Sequence, residues 1–521
     1  MKIMNNYWAV INLHVRKLPI LFKSVLVGIL AGIVVCAYRY TLIVAEEWSL
    51  RFYSTLQGHL QAIPLAFLTL GAIGYGVGLL VSRYNMISGS GIPQVSGVIQ
   101  GYFRQNWLST LLAKFFGGAL SILAGLSLGR EGPSIQLGAC TAQGLGDRLA
   151  SSKTEKKILI ASGASAGLSA AFNAPLAGAI FAVEEIFKYF SPMVLLSTMA
   201  SAMAADYVSK IKFGMSPIFP FGLEEIQLDC YWLLILLGVL VGAAGAFYNR
   251  ALVITQKLYK KIPLLNVRTR LLVPFLLAGA IGLLFPLALG GGHQIIGQLH
   301  VSTNLTFLLL LLVVKFLFSI ISFGSGAPGG IFFPMLIIGA TIGAIFGNLA
   351  VLWAGIDPAI FGNWVVLAMA GYFTAIVRAP ITGIVLLVEM TGSLSHLLPL
   401  TVVTIVSYVT ADLFKSKPIY EYLLENQIEE LKIPLEKYDA GHRIIVETIV
   451  HYGSFAENKK VYEIDLPHNC LLISIRRHGQ DIIPRGDTRI RAQDYLIVLT
   501  SINDEARVRE NLDRITLAGS S

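Results

Sequence analysis

Charge is what this sequence lacks. Only 14% of its 521 residues are Asp, Glu, Lys or Arg, against about 25% in an ordinary soluble domain. Between Leu305 and Val377 the only ionised side chains are Lys315 and Asp357. A soluble fold cannot hide so long an uncharged run, whereas each bilayer-spanning helix needs about 20 apolar residues. The deficit excludes an ordinary soluble enzyme and indicates a polytopic membrane protein. Cysteine is scarce too. Cys36, Cys140, Cys230 and Cys470 are dispersed, which excludes a disulfide scaffold or a paired metal spacing. No Walker-type phosphate loop occurs, so nothing points to a nucleotide motor. The first apolar run, near 21–45, follows Arg16 and Lys17, has Lys23 at its start and outlasts a signal-peptide core, so it reads as a retained membrane segment.

What is present is apolar and rich in glycine: 55% hydrophobic residues, 50 Gly and a mean hydropathy of +0.67. Residues 415–521 hold 15 basic and 17 acidic side chains, a net −2; subtraction from the total of +9 leaves +11 for residues 1–414. The tail is thus a normally charged soluble domain. The basic surplus of the membrane part fits either the positive-inside rule or attraction of anions. Apolar segments lie near 21–45, 62–82, 108–128, 158–171, 174–190, 192–208, 229–253, 271–289, 304–323, 331–353, 363–377, 380–391 and 396–413. Several are short or broken by Gly and Pro, a pattern of half-helices tolerated where protein or a watery cavity satisfies the backbone. Basic residues near the N-terminus and a soluble tail place both ends in the cytoplasm.

The chain repeats itself. Lys114-Phe115, Pro133, Gly138-Ala139 and Gly146 recur 201 positions later as Lys315-Phe316, Pro334, Gly339-Ala340 and Gly347. Ala174-Pro175, Gly178 and Val183-Glu184 recur 205 positions later as Ala379-Pro380, Gly383 and Val388-Glu389. Duplicated halves mark transporters whose substrate site lies at the repeat interface. Glu131 and Phe332 are equivalent positions beside it.

Three interruptions carry the chemistry: Gly89-Ser90-Gly91-Ile92-Pro93, Gly129-Arg130-Glu131-Gly132-Pro133, and the run from Gly326 to Pro334 through Ile331, Phe332 and Phe333. Each ends in a proline suited to the first turn of a helix, and its glycines let backbone approach a ligand. A helix that starts at membrane depth aims unpaired N–H groups and a partial positive charge inward, an anion site without a full charge. Conduction requires such weak sites. Helix caps without a ligand account better for any one of them taken alone; three in one chain favour a site.

These strings resemble the anion-selectivity sequences of the CLC family of chloride channels and chloride/proton antiporters, and Lys417-Pro418-Ile419-Tyr420 resembles the end of that family's last membrane helix. The likeness runs from about residue 20 to 425. It implies an all-α polytopic membrane protein of CLC fold, an inverted repeat of two halves with broken and half helices. It implies that Ser90 and Tyr420 donate hydroxyls to a chloride, joined by the amides of Ile331 and Phe332. The amides around Arg130, Glu131 and Gly132 would form an outer site, with Glu131 as gating glutamate; the Arg130 side chain itself would pair elsewhere in the fold. The segment Gly167–Glu185 resembles the stretch bearing the internal proton-transfer glutamate, which maps to Glu185 and favours exchange; the alternative is an interfacial, solvated Glu184-Glu185 pair. Glu389 reads as structural. The implied activity is secondary active exchange of chloride against protons, with a passive voltage- or pH-gated chloride channel as the alternative. Neither is enzymatic or needs a cofactor beyond the transported ions. A tail-regulated membrane enzyme or cation transporter is a third class, one without chloride dependence. A homodimer in a bacterial inner or plasma membrane is implied, with no nucleic-acid partner. Phe333 stands where many relatives have a small residue, and Gln94 where an acid is common.

The expected domains are 1–425 for transport, 426–442 as linker and 443–521 as an α/β cytoplasmic domain. In the last, strands are expected at 444–450, 470–476, 480–483 and 495–500. Helices are expected at 455–464 and 503–515, the latter capped by Asn503. This region resembles the TrkA-C domain of potassium-transport regulators. Arg476, Arg477, Arg485, Arg489 and Arg491 form either a small-molecule or nucleotide site or a solvated basic face. His442, His451, His468 and His478 show no metal spacing.

Overall fold

The structure is a computed structural model describing residues 18–431 without 220, and 443–517 without 467–469, 478 and 502–503. His442, His468, His478 and Asn503 lie outside the described residues. The chain divides between Ile428 and Glu429 into two units.

The first unit is helical throughout, and proline sets many of its helix starts. Helices Ile63–Arg83, Ile92–Gln100, Pro175–Phe181, Pro192–Phe213 and Pro380–Thr391 each carry Pro in the first two positions, where its missing N–H costs nothing. Among the described residues, six helices are long and apolar enough to cross a membrane. The first, Leu18–Gly58, has 41 residues and so runs about 60 Å, twice a hydrocarbon core. Others are half-spans: Ile92–Gln100 has nine residues and Pro175–Phe181 has seven. The latter passes into a π-turn over Ala182–Phe187. Helix Ile419–Glu430 carries the unit's last residues past 425, into the segment expected as linker.

The two repeats obey their offsets at atomic detail. Lys114 Nζ, fully buried, donates to the carbonyls of Ile87 and Gly89 at 2.9 and 2.6 Å; Lys315 Nζ donates to Ala288 and Gly290 at 3.0 and 2.7 Å. Gly89 N–H donates to Gly326 O, and its counterpart Gly290 N–H to Gly125 O. Gly129 and Gly330, themselves equivalent, pair antiparallel through two hydrogen bonds of 2.7 and 2.8 Å. Antiparallel pairing of equivalent residues is what a two-fold between inverted halves produces.

Helix Glu131–Leu149 has little apolar periodicity and escapes a hydropathy reading. It packs by small residues instead: Gly138 fits against the backbone of Gly163, and Gly167 against Ser134, so closely that neither tolerates a Cβ.

The second unit is an antiparallel sheet of β1 (Arg443–Ile449), β2 (Cys470–Arg477), β3 (Gln480–Ile482) and β4 (Tyr495–Ser501) in the order β1-β4-β2-β3, with helix Glu505–Thr516. Val446, Leu472, Ile475, Leu496, Val498, Val508 and Leu512 form its core. The helix expected over 455–464 is instead a chain of turns ending in a 3-10 turn at Val461–Glu463. There Val461 and Tyr462 N–H groups bond to Thr488 and Gly486 across the domain, which outweighs local helix propensity. Arg477 holds Asp494, 1% exposed, by two hydrogen bonds of 2.8 and 2.7 Å, and those bonds raise its already high pKa. Arg476 pairs with Asp481 at 3.1 Å. Two of the five arginines considered for a ligand site are thus committed to partners within the domain.

Candidate anion site

The three glycine-rich interruptions, far apart in sequence, are bolted together by backbone. Gly329 N–H donates to Gly89 O at 3.1 Å, and Gly129 and Gly330 exchange both hydrogen bonds. From this knot helices start at Ile92, Glu131 and Phe332. The first N–H groups of a helix have no acceptor inside it, so three sets of donors issue from one place. Glycine is required where the chains touch. Gly91, at φ 98°, lies against Gln136, and a Cβ on Gly132 would sit 2.7 Å from the Ser90 carbonyl oxygen.

Side chains complete the arrangement. Ser90 and Tyr420 are 1% and 2% exposed, their hydroxyls lie side by side, and neither hydroxyl has a hydrogen-bond partner among the described residues. Burying a hydroxyl without a partner costs about 1–3 kcal/mol, so two convergent orphans ask for a third party. Phe181 links Tyr420 to Phe332 edge-on, at 6.5 and 6.1 Å between ring centres. Phe332 and Ile331 are wholly buried.

Glu131 is wholly buried and folds back against Gly129 beside the backbone nitrogen of Phe333. Neither carboxyl oxygen has a hydrogen-bond partner among the described residues. The side chain of Arg130, expected to pair elsewhere, stands with Nε 3.9 Å from the Glu131 carboxylate. The carboxyl group therefore hovers at the start of helix Phe332–Ala354, close to donors but locked to none.

The adjacent pair Glu184-Glu185 splits. Glu184 accepts from the Thr382 N–H at 2.9 Å, from its hydroxyl at 2.7 Å and from Ile381 N–H at 3.4 Å. Its counterpart Glu389 accepts from Leu176 and Ala177 N–H at 3.0 and 2.8 Å. Each glutamate caps the short helix of the opposite half. Glu185 points away in the π-turn and is 6% exposed, near Lys188 and Glu421. Tyr420 lies within electrostatic reach of both Glu131 and Glu185. Such a set can hold a dehydrated anion by neutral donors, with a carboxyl group on either side.

A family model described as voltage gated chloride channel matches residues 73–412. The chain is 35% identical over 432 residues to the H(+)/Cl(-) exchange transporter ClcA of Vibrio cholerae, covering 80% of this chain and 91% of the relative. The chain belongs to the CLC family. The ClcA transporter of Klebsiella pneumoniae is 33% identical over 426 residues, covering 79% and 89%. The crystal structure of a slow cyanobacterial Cl-/H+ antiporter superposes with a TM-score of 0.74 at 30% identity, over 79% of this chain and 98% of that one. A eukaryotic CLC transporter, at 24% identity, 78% and 74% coverage and TM-score 0.67, shares the fold. Beyond the CLC region, a TrkA-C domain model matches residues 445–513.

In this CLC chain sequence reasoning missed a fourth glycine loop, Gly290-Gly291-Gly292-His293, the second-half counterpart of the Ser90 motif. Gly89 and Gly91 have φ of 65° and 98°; Gly290 and Gly292 have 59° and 98°. Applying the 201 offset to the Ser90 motif would have found it. The missing proline hid it, and the helix that follows has only four residues.

Proposed function

We propose that this CLC protein is a secondary active transporter exchanging chloride for protons, with Glu131 as its gate. The paired orphan hydroxyls of Ser90 and Tyr420 beside three helix starts are the observation that carries the reading. Ser90, Tyr420 and the amides of Ile331 and Phe332 hold a central chloride. The amides of Arg130, Glu131 and Gly132 serve a second position. Peptide dipoles suit this task because they stabilise a halide without the grip of a buried lysine.

The Glu131 carboxylate competes with chloride for the same amides. Protonation removes its charge and frees the amides, so a proton is bound as the path opens. An ionised carboxyl group at bilayer depth costs about 2.5–3.5 kcal/mol on insertion scales, so a carboxylate retained there marks function. Glu185 passes protons to and from the opposite face. The relatives carry the printed names of H(+)/Cl(-) exchangers, which supports exchange over a passive channel.

The protein works as a homodimer in a bacterial plasma membrane with both termini in the cytoplasm, chloride and protons being its substrates. The TrkA-C unit is a regulatory domain with a small-molecule or nucleotide ligand, or a dimerisation module. The test is gradient-driven flux. In liposomes of purified protein an imposed chloride gradient drives protons uphill; chloride flux with protons at rest would establish the passive channel instead.

A further inference from the structure

The fold contains its anion cradle twice, and one copy is filled. In the first half Ser90, within its glycine loop, lies against Gly132. Adding 201 gives Gly291 and Phe333, and these too are in contact: a Cβ on Gly291 would lie 3.4 Å from Phe333 Cδ1. Where the first half packs Ser90 so closely on Gly132 that no side chain fits there, the second half has a glycine in place of the serine and a benzyl group in place of the glycine. Phe333 is wholly buried, and its ring is stacked on that of His293 at 3.8 Å and 14°. Its own backbone nitrogen adjoins the Glu131 carboxyl group. On the far side of the stack is a cavity of about 30 Å³ lined by Glu46, Ser49, Gly290, Gly292 and His293. That is room for a water molecule.

We infer that the Phe333–His293 stack is the access gate on the Glu46 side of the transport path and sets turnover. Chloride or the Glu131 side chain moves between the cavity and the central site only when the two rings part. The stack is suited to parting. Both His293 ring nitrogens are buried with no hydrogen-bond partner among the described residues, so no polar bond ties that ring down, while Phe333 is backed by the rings of Phe172 and Phe219. The loop beneath is fixed: Lys315 grips the carbonyl of Gly290 at 2.7 Å and Glu46 accepts from Gly291 N–H at 3.2 Å. The rings move while the cradle stays.

This inference rests on the exchange reading. Chloride turnover is measured in liposomes for the full chain and for F333A, H293A and the double variant, alongside the proton-to-chloride ratio. F333A and H293A are each expected to speed turnover by roughly two- to tenfold, the rate equivalent of one aromatic stack. The ratio stays unchanged, and the double variant is no faster than F333A, since both remove one interaction. Rates equal to or below wild type, or additive gains, overturn the gate. His293 is only half-buried, so H293A carries the test should F333A fail to fold. A wild-type protein that moves no chloride would sink the exchange reading instead, a distinct result.

Discussion

Two adjacent carboxylates in different surroundings give a sharp test of the proposed roles. Glu184→Ala removes three hydrogen bonds to the start of helix Pro380–Thr391. Loss of a side-chain cap costs about 0.5–2 kcal/mol. The upper half of that range applies here, because the acceptor is a carboxylate at a helix N-terminus and its removal leaves the N–H of the buried Thr382 without a partner. Glu185→Gln is nearly isosteric and breaks no comparable set. Melting of the purified protein, followed with chloride-driven proton transport in liposomes, separates the two. E184A melts a few degrees lower and keeps proton coupling; E185Q melts like wild type and moves chloride without protons. Loss of coupling in E184A at unchanged melting, or an E185Q protein as destabilised as E184A, would refute the division.

If Glu131 is the gate, Glu131→Gln makes chloride flux insensitive to pH and unable to drive protons; a retained pH profile in the flux assay would show the gate lies elsewhere. Tyr420→Phe deletes one of the two orphan hydroxyls and weakens chloride binding about three- to tenfold by calorimetry, the equivalent of one hydrogen bond. Unchanged affinity would remove Tyr420 from the site. In the tail, Asp494→Asn breaks the ion pair with Arg477, which is 18% exposed. Hydrogen exchange on the full chain should register about 2 kcal/mol of lost local stability there, below the 3–5 kcal/mol of a fully buried pair.

Much of the backbone arrangement around the candidate site was legible because its parts obey local rules. Gly with a positive φ, a proline in the next helical turn and a carboxylate in a charge-poor stretch each have a one-residue cause, so the three helix starts around Ser90, Glu131 and Phe332 could be picked from the string, whereas the roles of the Ile331 and Phe332 amides came from the resemblance alone. The fixed offset between halves was equally legible, since Lys114 and Lys315 do the same work on equivalent carbonyls. What escaped depends on packing across long separations. Nothing near Glu184 and Glu185 says which one meets a helix start 197 or 198 positions away. Helix Glu131–Leu149 buries glycines and glutamines in place of an apolar stripe, and Phe455–Ile464 gave up a helix for hydrogen bonds to residues 486–490. The filled second cradle required the offset to be applied to a loop with no proline.

Bromide replaces chloride in anion sites and scatters anomalously, so diffraction from bromide-soaked crystals tests the central claim directly. The account predicts a peak within hydrogen-bond distance of Ser90 Oγ and the Tyr420 hydroxyl, near the Ile331 and Phe332 nitrogens, strengthened in Glu131→Gln. Bromide found only beside lysine and arginine side chains, with nothing between those two hydroxyls, would contradict it.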